Sequence, residues 1–214
     1  MDQLADYYRD RAAEYDAIYL KPERQDDLAR LHRLLPPLVA GRSVLEVAAG
    51  TGYWTKTLST TAKSIVATDL NDETLQIART RSYGPAEVSF RIADAYDLGA
   101  VPGSFDAIFA GFFWSHVLRA DVQRFVRGLE TRLAPGGLVI LADNRYVEGS
   151  NHPITRVGED GDTYQTRRLA DGREFEILKN FPTRAQFTAD LVSVTPDVRW
   201  TDLDYFWLAE VSLA

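Results

Sequence analysis

Glu46, Gly50, Gly52, Asp69, Asp94 and His116 are the residues of this chain whose types and spacing can do chemistry. Gly50 and Gly52 follow the short apolar run Ser43-Val44-Leu45-Glu46-Val47, where a turn must open and backbone must approach something closely. A dinucleotide site would use G-x-G-x-x-G, with pyrophosphate on the helix N-terminus and a third glycine for close helix–strand packing. The stretch here is Gly50-Thr51-Gly52-Tyr53-Trp54-Thr55, without that third glycine. Glu46 stands four residues ahead of Gly50 and suits a ligand with an ammonium and a sulfonium better than a pyrophosphate. Asp69 ends a second apolar run 17 residues beyond Gly52, where a carboxylate can accept from both hydroxyls of a ribose. Its plainer role is a helix N-cap, although Asn71 or Asp72 can cap unaided. His116 can deprotonate a hydroxyl or carboxylic acid, or hydrogen-bond a substrate. Its plainer role is to bond local backbone at a helix start. His32, on an early amphipathic helix, and His152, in a loop, are expected at the surface.

The elements that must position these residues follow from the pattern. The short apolar run over residues 43–47 reads as a buried parallel strand, residues 64–69, 87–92 and 105–110 as the next three strands, and residues 133–142 as a proline-glycine turn with a fifth. Helix-compatible stretches separate them, from Thr55, over 71–81 and over 121–133. Such alternation is the mark of an α/β fold. Ahead of the first strand, an amphipathic helix is expected from Glu23 to Leu35, started by Pro22 and ended by Pro36-Pro37. Before it, Leu4, Tyr7, Tyr8, Tyr15, Ile18 and Tyr19 form a broken helical stripe. Residues 144–160 are polar and turn-rich, as in a surface loop. Tyr164–Leu169 and Glu174–Leu178 predict a hairpin turning at Asp171-Gly172. A short helix capped by Thr183 follows, with Phe187 and Leu191 on one face, and strands Val198–Leu203 and Tyr205–Leu213 close the chain.

The pattern Glu46-x-Ala48-x-Gly50-x-Gly52 resembles motif I of the class I S-adenosylmethionine (SAM)-dependent methyltransferases, which more often have glycine where this chain has Ala48. Ser104-Phe105-Asp106-Ala107-Ile108-Phe109-Ala110 resembles motif II, and Leu133 to Ala142 resembles motif III. The resemblance runs over residues 40–143. It implies a three-layer α/β sandwich with a seven-stranded, mostly parallel Rossmann-like sheet and an antiparallel C-terminal hairpin. One domain would span 1–214, with a helical lid at 1–37, a cofactor core at 40–143 and a substrate-side segment at 144–214. The implied cofactor is S-adenosyl-L-methionine, held by Glu46, Ala48, Gly50, Gly52 and Asp69, with Leu70 flanking the adenine. Asp94 would accept from the adenine amino group, the Ala95 amide would meet a ring nitrogen, and Gly111 and Phe112 would lie beside the methionine portion. Tyr7 to Asp16 resembles the segment that closes over the cofactor in small-molecule members, with Tyr15 its candidate contact.

The expected activity is methyl transfer to oxygen or nitrogen of a small-molecule acceptor, with His116 and Tyr15 as candidate catalytic groups. Tyr19, Phe113, Trp114, Arg145 and Tyr146 are the candidates for the acceptor pocket. Asp143-Asn144 resembles the metal-holding pair of catechol-type enzymes, but Ala110-Gly111-Phe112 lacks the further carboxylate a hard cation wants, so no metal is expected. A net charge of -7 without a dense basic block argues against a nucleic-acid surface. The absence of cysteine excludes disulfides and thiolate sites. The longest apolar run, Ala107 to Trp114, is too short to cross a bilayer, and a cytoplasmic location is expected. Two other readings stay open: a SAM-fold protein running a different reaction, and a non-catalytic methyltransferase-like partner in a complex.

Overall fold

A computed structural model of the chain describes residues 16, 18–169, 171–191 and 197–212. Five strands run parallel: β1 (Ser43–Val47), β2 (Ser64–Asp69), β3 (Glu87–Ile92), β4 (Phe105–Gly111) and β5 (Leu133–Asn144). Two more close the sheet as an antiparallel hairpin, β9 (Asp197–Asp202) and β10 (Phe206–Ser212). The order across the sheet is β3-β2-β1-β4-β5-β10-β9, with β10 antiparallel to β5. Chain order reverses between β1 and β4, so their carboxyl ends flank a crevice where open α/β sheets bind ligands. β1 is buried along Val44 to Val47, as expected of a strand covered on both faces.

One face of the sheet packs Leu45, Ile108 and Leu141 against α4 (Val122–Glu130) and α5 (Arg184–Leu191) through Phe125, Leu129, Phe187 and Leu191. The other packs Val44, Phe109 and Ile140 against α1 (Gln25–Val39) and α2 (Tyr53–Leu58) through Leu31, Leu35, Trp54 and Leu58. α3 (Asp72–Arg79) lies between β2 and β3 in the chain and stops two residues before the expected Arg81. α4 likewise ends at Glu130 rather than Leu133, because Leu133 already pairs with Phe105 as the first residue of β5.

α1 departs from expectation at its end, for it continues through Pro36 and Pro37 to Val39. Prolines forfeit backbone donors, but the apolar stripe Leu28, Leu31, Leu35, Val39 stays in register and buried across them. Pro36 O, one of the orphan carbonyls of the last turn, accepts from Thr61 Oγ1 at 2.6 Å. Burial there outweighs the cost of the prolines. The predicted hairpin forms as β7 (Thr163–Arg168) and β8 (Glu174–Leu178), and a two-residue strand β6 (Arg156–Val157) joins it from the stretch expected to be loop. Thr183 caps α5 as expected, its Oγ1 accepting from Gln186 N at 3.2 Å while Gln186 Oε1 accepts from Thr183 N at 2.9 Å.

Candidate active site

The loop from Ala48 to Gly52 carries three left-handed residues, with φ of +54° at Ala48, +57° at Gly50 and +77° at Gly52. Glycine takes that region freely and alanine does not, which gives the departure from the motif at Ala48 a physical meaning. At Gly52 a side chain is also disfavoured by packing, because a Cβ would meet the Tyr83 hydroxyl and crowd the Ala78 Cβ of α3 at 3.1 Å. Asp69 holds the loop open: its Oδ2 accepts from Gly50 N at 2.8 Å and its Oδ1 from Asn71 N at 2.9 Å. The carboxylate therefore joins the loop to the start of α3. A carboxylate offers about four acceptor positions, so two backbone donors leave capacity for hydroxyls.

Glu46 lies beneath this loop and is buried. Loss of water pushes its carboxyl up to about 8, with the Asp69 carboxylate adding to the effect. The Thr55 hydroxyl beside it draws the value down in part. Yet neither Glu46 Oε2 nor Thr55 Oγ1 has a hydrogen-bond partner among the described residues. Buried polar atoms left this way are rare in folded proteins. Leu70, 51% exposed at the end of β2, presents apolar surface beside the loop. Asp94 closes an Asx turn through Oδ1 and Tyr96 N at 2.9 Å, and Ala95 behind it is buried.

Tyr15 lies outside the described residues. Its neighbour Asp16 accepts from Thr51 Oγ1 at 2.6 Å and pairs with the Arg81 guanidinium, which also reaches the Thr51 carbonyl. Tyr19 is buried, stacked on Tyr53 at 3.8 Å between ring centroids and accepting from Trp54 Nε1 at 3.1 Å. It anchors the N-terminal segment on α2. Phe112, with φ of +63°, extends the same aromatic group, stacked on Trp54 at 5.5 Å. His32 belongs there too rather than on the surface, its two ring nitrogens 2.7 Å from Thr57 Oγ1 and 3.1 Å from Tyr53 Oη. At Gly111 a Cβ would strike the Phe109 ring at 2.6 Å.

The other acceptor candidates separate. Phe113 is half-buried beside Tyr96 and Phe125, at centroid distances of 6.3 and 5.5 Å. Trp114 lies in the core against Phe187, Phe125 and Trp207, behind any pocket wall. Arg145 is spent on the β9–β10 connection, its Nη1 donating to Leu203 O at 2.6 Å and its backbone N to Tyr205 O at 2.8 Å. Tyr146 is 41% exposed, edge-on to Phe181.

His116 is buried, with Nδ1 2.8 Å from Leu178 O. That carbonyl can only accept, so Nδ1 carries the proton. Burial and then the nearby Lys179 ammonium push the imidazole down to about 3. Beside it Asp143, also buried, accepts from Ser115 N at 2.8 Å and from Asn144 N at 2.7 Å. Lys179 donates to Ser115 Oγ at 2.6 Å and stands 3.5 Å from Asp143 Oδ1. An ammonium thus lies beside the Asp143 carboxylate. Among the described residues no group of three or more His, Cys, Asp or Glu is arranged to hold a metal ion, and no helix is long and apolar enough to cross a membrane.

Residues 44–137 match the model of a methyltransferase domain. The solved DhpI–SAH complex superposes with a TM-score of 0.80 at 30% identity, covering 100% of this chain and 96% of that one. The chain belongs to the class I SAM-dependent methyltransferases. The demethylmenaquinone methyltransferase of Clavibacter sepedonicus is 33% identical over 128 residues, 59% of this chain and 49% of that one. The ubiquinone biosynthesis O-methyltransferase of Chromobacterium violaceum is 28% identical over 143 residues, 65% of this chain and 59% of that one. The chain thus spans about half the length of the curated relatives it matches. The methyltransferase fold also gathers polar residues that sequence reasoning passed over: Arg81, which pairs with Asp16 on the glycine loop, and Arg24 and Lys179 near the end of β5. Each meets its partners across long stretches of chain, and no local pattern marks it.

Proposed function

We propose that the chain binds SAM in the crevice between β1 and β4 and transfers its methyl group to oxygen or nitrogen of a small acceptor. The observation that carries this reading is the buried, unpartnered Glu46 Oε2 beneath a left-handed glycine loop. A buried Glu46 that holds its proton beside the Asp69 carboxylate suits a cationic ligand, whose arrival would displace that proton. Glu46 would serve the ammonium end, Asp69 the ribose hydroxyls, and Leu70, Asp94 and Ala95 the adenine. Gly111 and Phe112 would line the methionine portion. SAM supplies an electrophilic methyl, so the protein's share is to orient the acceptor and exclude water.

A neutral His116 with its proton on Nδ1 and little basicity suits hydrogen bonding better than proton abstraction. Acceptor selectivity is assigned to Tyr19, Phe113 and the segments around His116 and Arg167, with Trp114 packed behind them. The N-terminal segment, tied to Thr51 through Asp16, would close over the cofactor. We place the protein in the cytoplasm, acting on a metabolite rather than a nucleic acid, in keeping with its net charge of -7 and lack of cysteine. Incubation of the full chain with methyl-tritiated SAM and a panel of alcohols, phenols, amines and acids should move label into product. Binding of SAM without transfer to any fraction of a metabolite extract would leave a non-catalytic partner as the better reading.

A further inference from the structure

Lys21, Arg24, Arg167 and Lys179 converge above the carboxyl end of β5. Ser150 ties two of them together: its Oγ accepts from Arg24 Nε at 2.9 Å and its carbonyl accepts from the Lys21 ammonium. Arg24 Nη1 continues to Asn144 Oδ1 at 2.9 Å, and Asn144 Nδ2 donates to Asp143 Oδ1 at 3.0 Å. Asp143 in turn faces Lys179 at 3.5 Å. Arg167, half-buried on β7 and anchored to Gln165 Oε1 at 2.7 Å, lies close enough for its charge to be felt at Lys21, Arg24 and Lys179. The Arg24 guanidinium is further fixed over the Tyr205 and Phe206 rings, at 5.6 and 5.7 Å.

These cations feel one another. Burial is the first cause that lowers the proton affinity of Lys21, Arg24 and Lys179, and the charge of Arg167 adds to it at all three. Among the described residues, the carboxylates bonded into the group are Asp143 and Glu23, the latter accepting from Ser150 Oγ at 2.7 Å. Among the described residues, Lys21, Arg24 and Lys179 stand against these two carboxylates, with His116 neutral, in a chain whose net charge is -7. Arg24 and Lys179 are each only 6% exposed, so water does little to offset their charge. Hydrogen bonds hold Lys21, Arg24 and Lys179 in place and gather their positive charge at the end of β5.

We propose that the acceptor carries a compact oxyanion, a carboxylate or a phosphoryl group, seated among Lys21, Arg24, Arg167 and Lys179. This rests on the methyl-transfer reading for the word acceptor, while the oxyanion site itself does not. Its position fits, because Asn144 ends β5 and Ser115 follows β4, beside the crevice assigned to the methyl donor. Planar guanidinium forks suit both oxyanions, and buried ammonium groups add point charge.

Calorimetry and thermal unfolding of the full chain with inorganic phosphate and with acetate, at matched ionic strength in chloride, test the proposal. Phosphate or acetate should bind and raise the unfolding temperature, and the one that binds identifies the source of the oxyanion. Arg167→Gln and Lys21→Gln, neither of them in the core, should each weaken that binding by about 10-fold or more, the usual scale for a charge-assisted bond. SAM affinity should be unchanged in both. Phosphate and acetate acting no differently from chloride, or binding both variants as tightly as the parent, would overturn the proposal. Anion binding in a chain that fails to bind SAM would instead overturn the methyl-transfer reading and leave the oxyanion site standing.

Discussion

Ala48 and Phe112 hold φ of +54° and +63°, and both border the crevice between β1 and β4. Each Cβ in that region costs about 1–2 kcal/mol against its own carbonyl. The Ala48 methyl packs only partly against the core, so Ala48→Gly should stabilise the fold by up to about 1 kcal/mol in urea denaturation, relief of that clash outweighing the lost contact. Unchanged or reduced stability would mean that the loop is relaxed as it stands. The sequence showed Ala48 as a departure from the motif but could not show its backbone angle. Phe112 gave no such signal, because a strand end followed by three aromatics looks the same whichever way the chain turns.

Glu46 makes a prediction of opposite kind. Its carboxyl is raised above the unfolded value, to about 8, so the folded chain holds the proton more tightly than the unfolded one. The resulting stability is full below pH ~4.5 and is lost as pH rises through about 8. Glu46→Gln, which cannot ionise, should therefore gain on the parent protein as pH is raised from 5 to 9. Parallel stability curves for the two proteins would show that Glu46 is already ionised. Its place in a strand before a glycine turn was legible. Its lack of a partner was not, since that depends on what surrounds it in space.

At the scale of elements, the N-terminal segment is fastened at two points, Tyr19 on α2 and Asp16 on the glycine loop. Asp16 and Arg81 are both partly exposed, so their ion pair contributes little to stability. Its effect should fall on the loop that it orders. Asp16→Ala should weaken SAM binding by about 10-fold while changing stability by less than about 1 kcal/mol. Unaltered SAM affinity would confine Asp16 to packing the segment down. The elements most readable in the sequence were those with a single period and clear punctuation, such as β7 and β8 around Asp171-Gly172. α1 was misjudged at Pro36-Pro37 because proline is a local signal, whereas Leu35 and Val39 are held by the sheet beneath them. β6 escaped notice because two residues, Arg156 and Val157, carry no period at all.

At the scale of the whole molecule, β1 and β4 were readable because burial on both faces writes them as short apolar runs, whereas β3, at the edge of the sheet, is largely exposed. The seven-stranded, mostly parallel sheet came through the family resemblance, and the order of its strands is seen only in the structure. The polar cluster around Asp143 stayed hidden for another reason. Arg24 meets Ser150 across 126 positions and Lys179 meets Ser115 across 64, distances at which sequence periodicity says nothing. The same long-range closure brings the N-terminal segment and the small β6–β8 sheet to the site. Asn180, just after β8, donates its backbone N–H to Ser115 O at 2.8 Å and its side chain to Val117 O at 3.0 Å.

Calorimetric titration of the full chain with SAM at pH 7, repeated in buffers of different ionisation enthalpy and with NAD in its place, tests the cofactor assignment most directly. A cation arriving beside a protonated Glu46 should expel its proton. SAM should therefore bind at micromolar concentration with release of up to one proton, and Glu46→Gln should abolish that release. Binding of NAD with none of SAM would contradict the assignment.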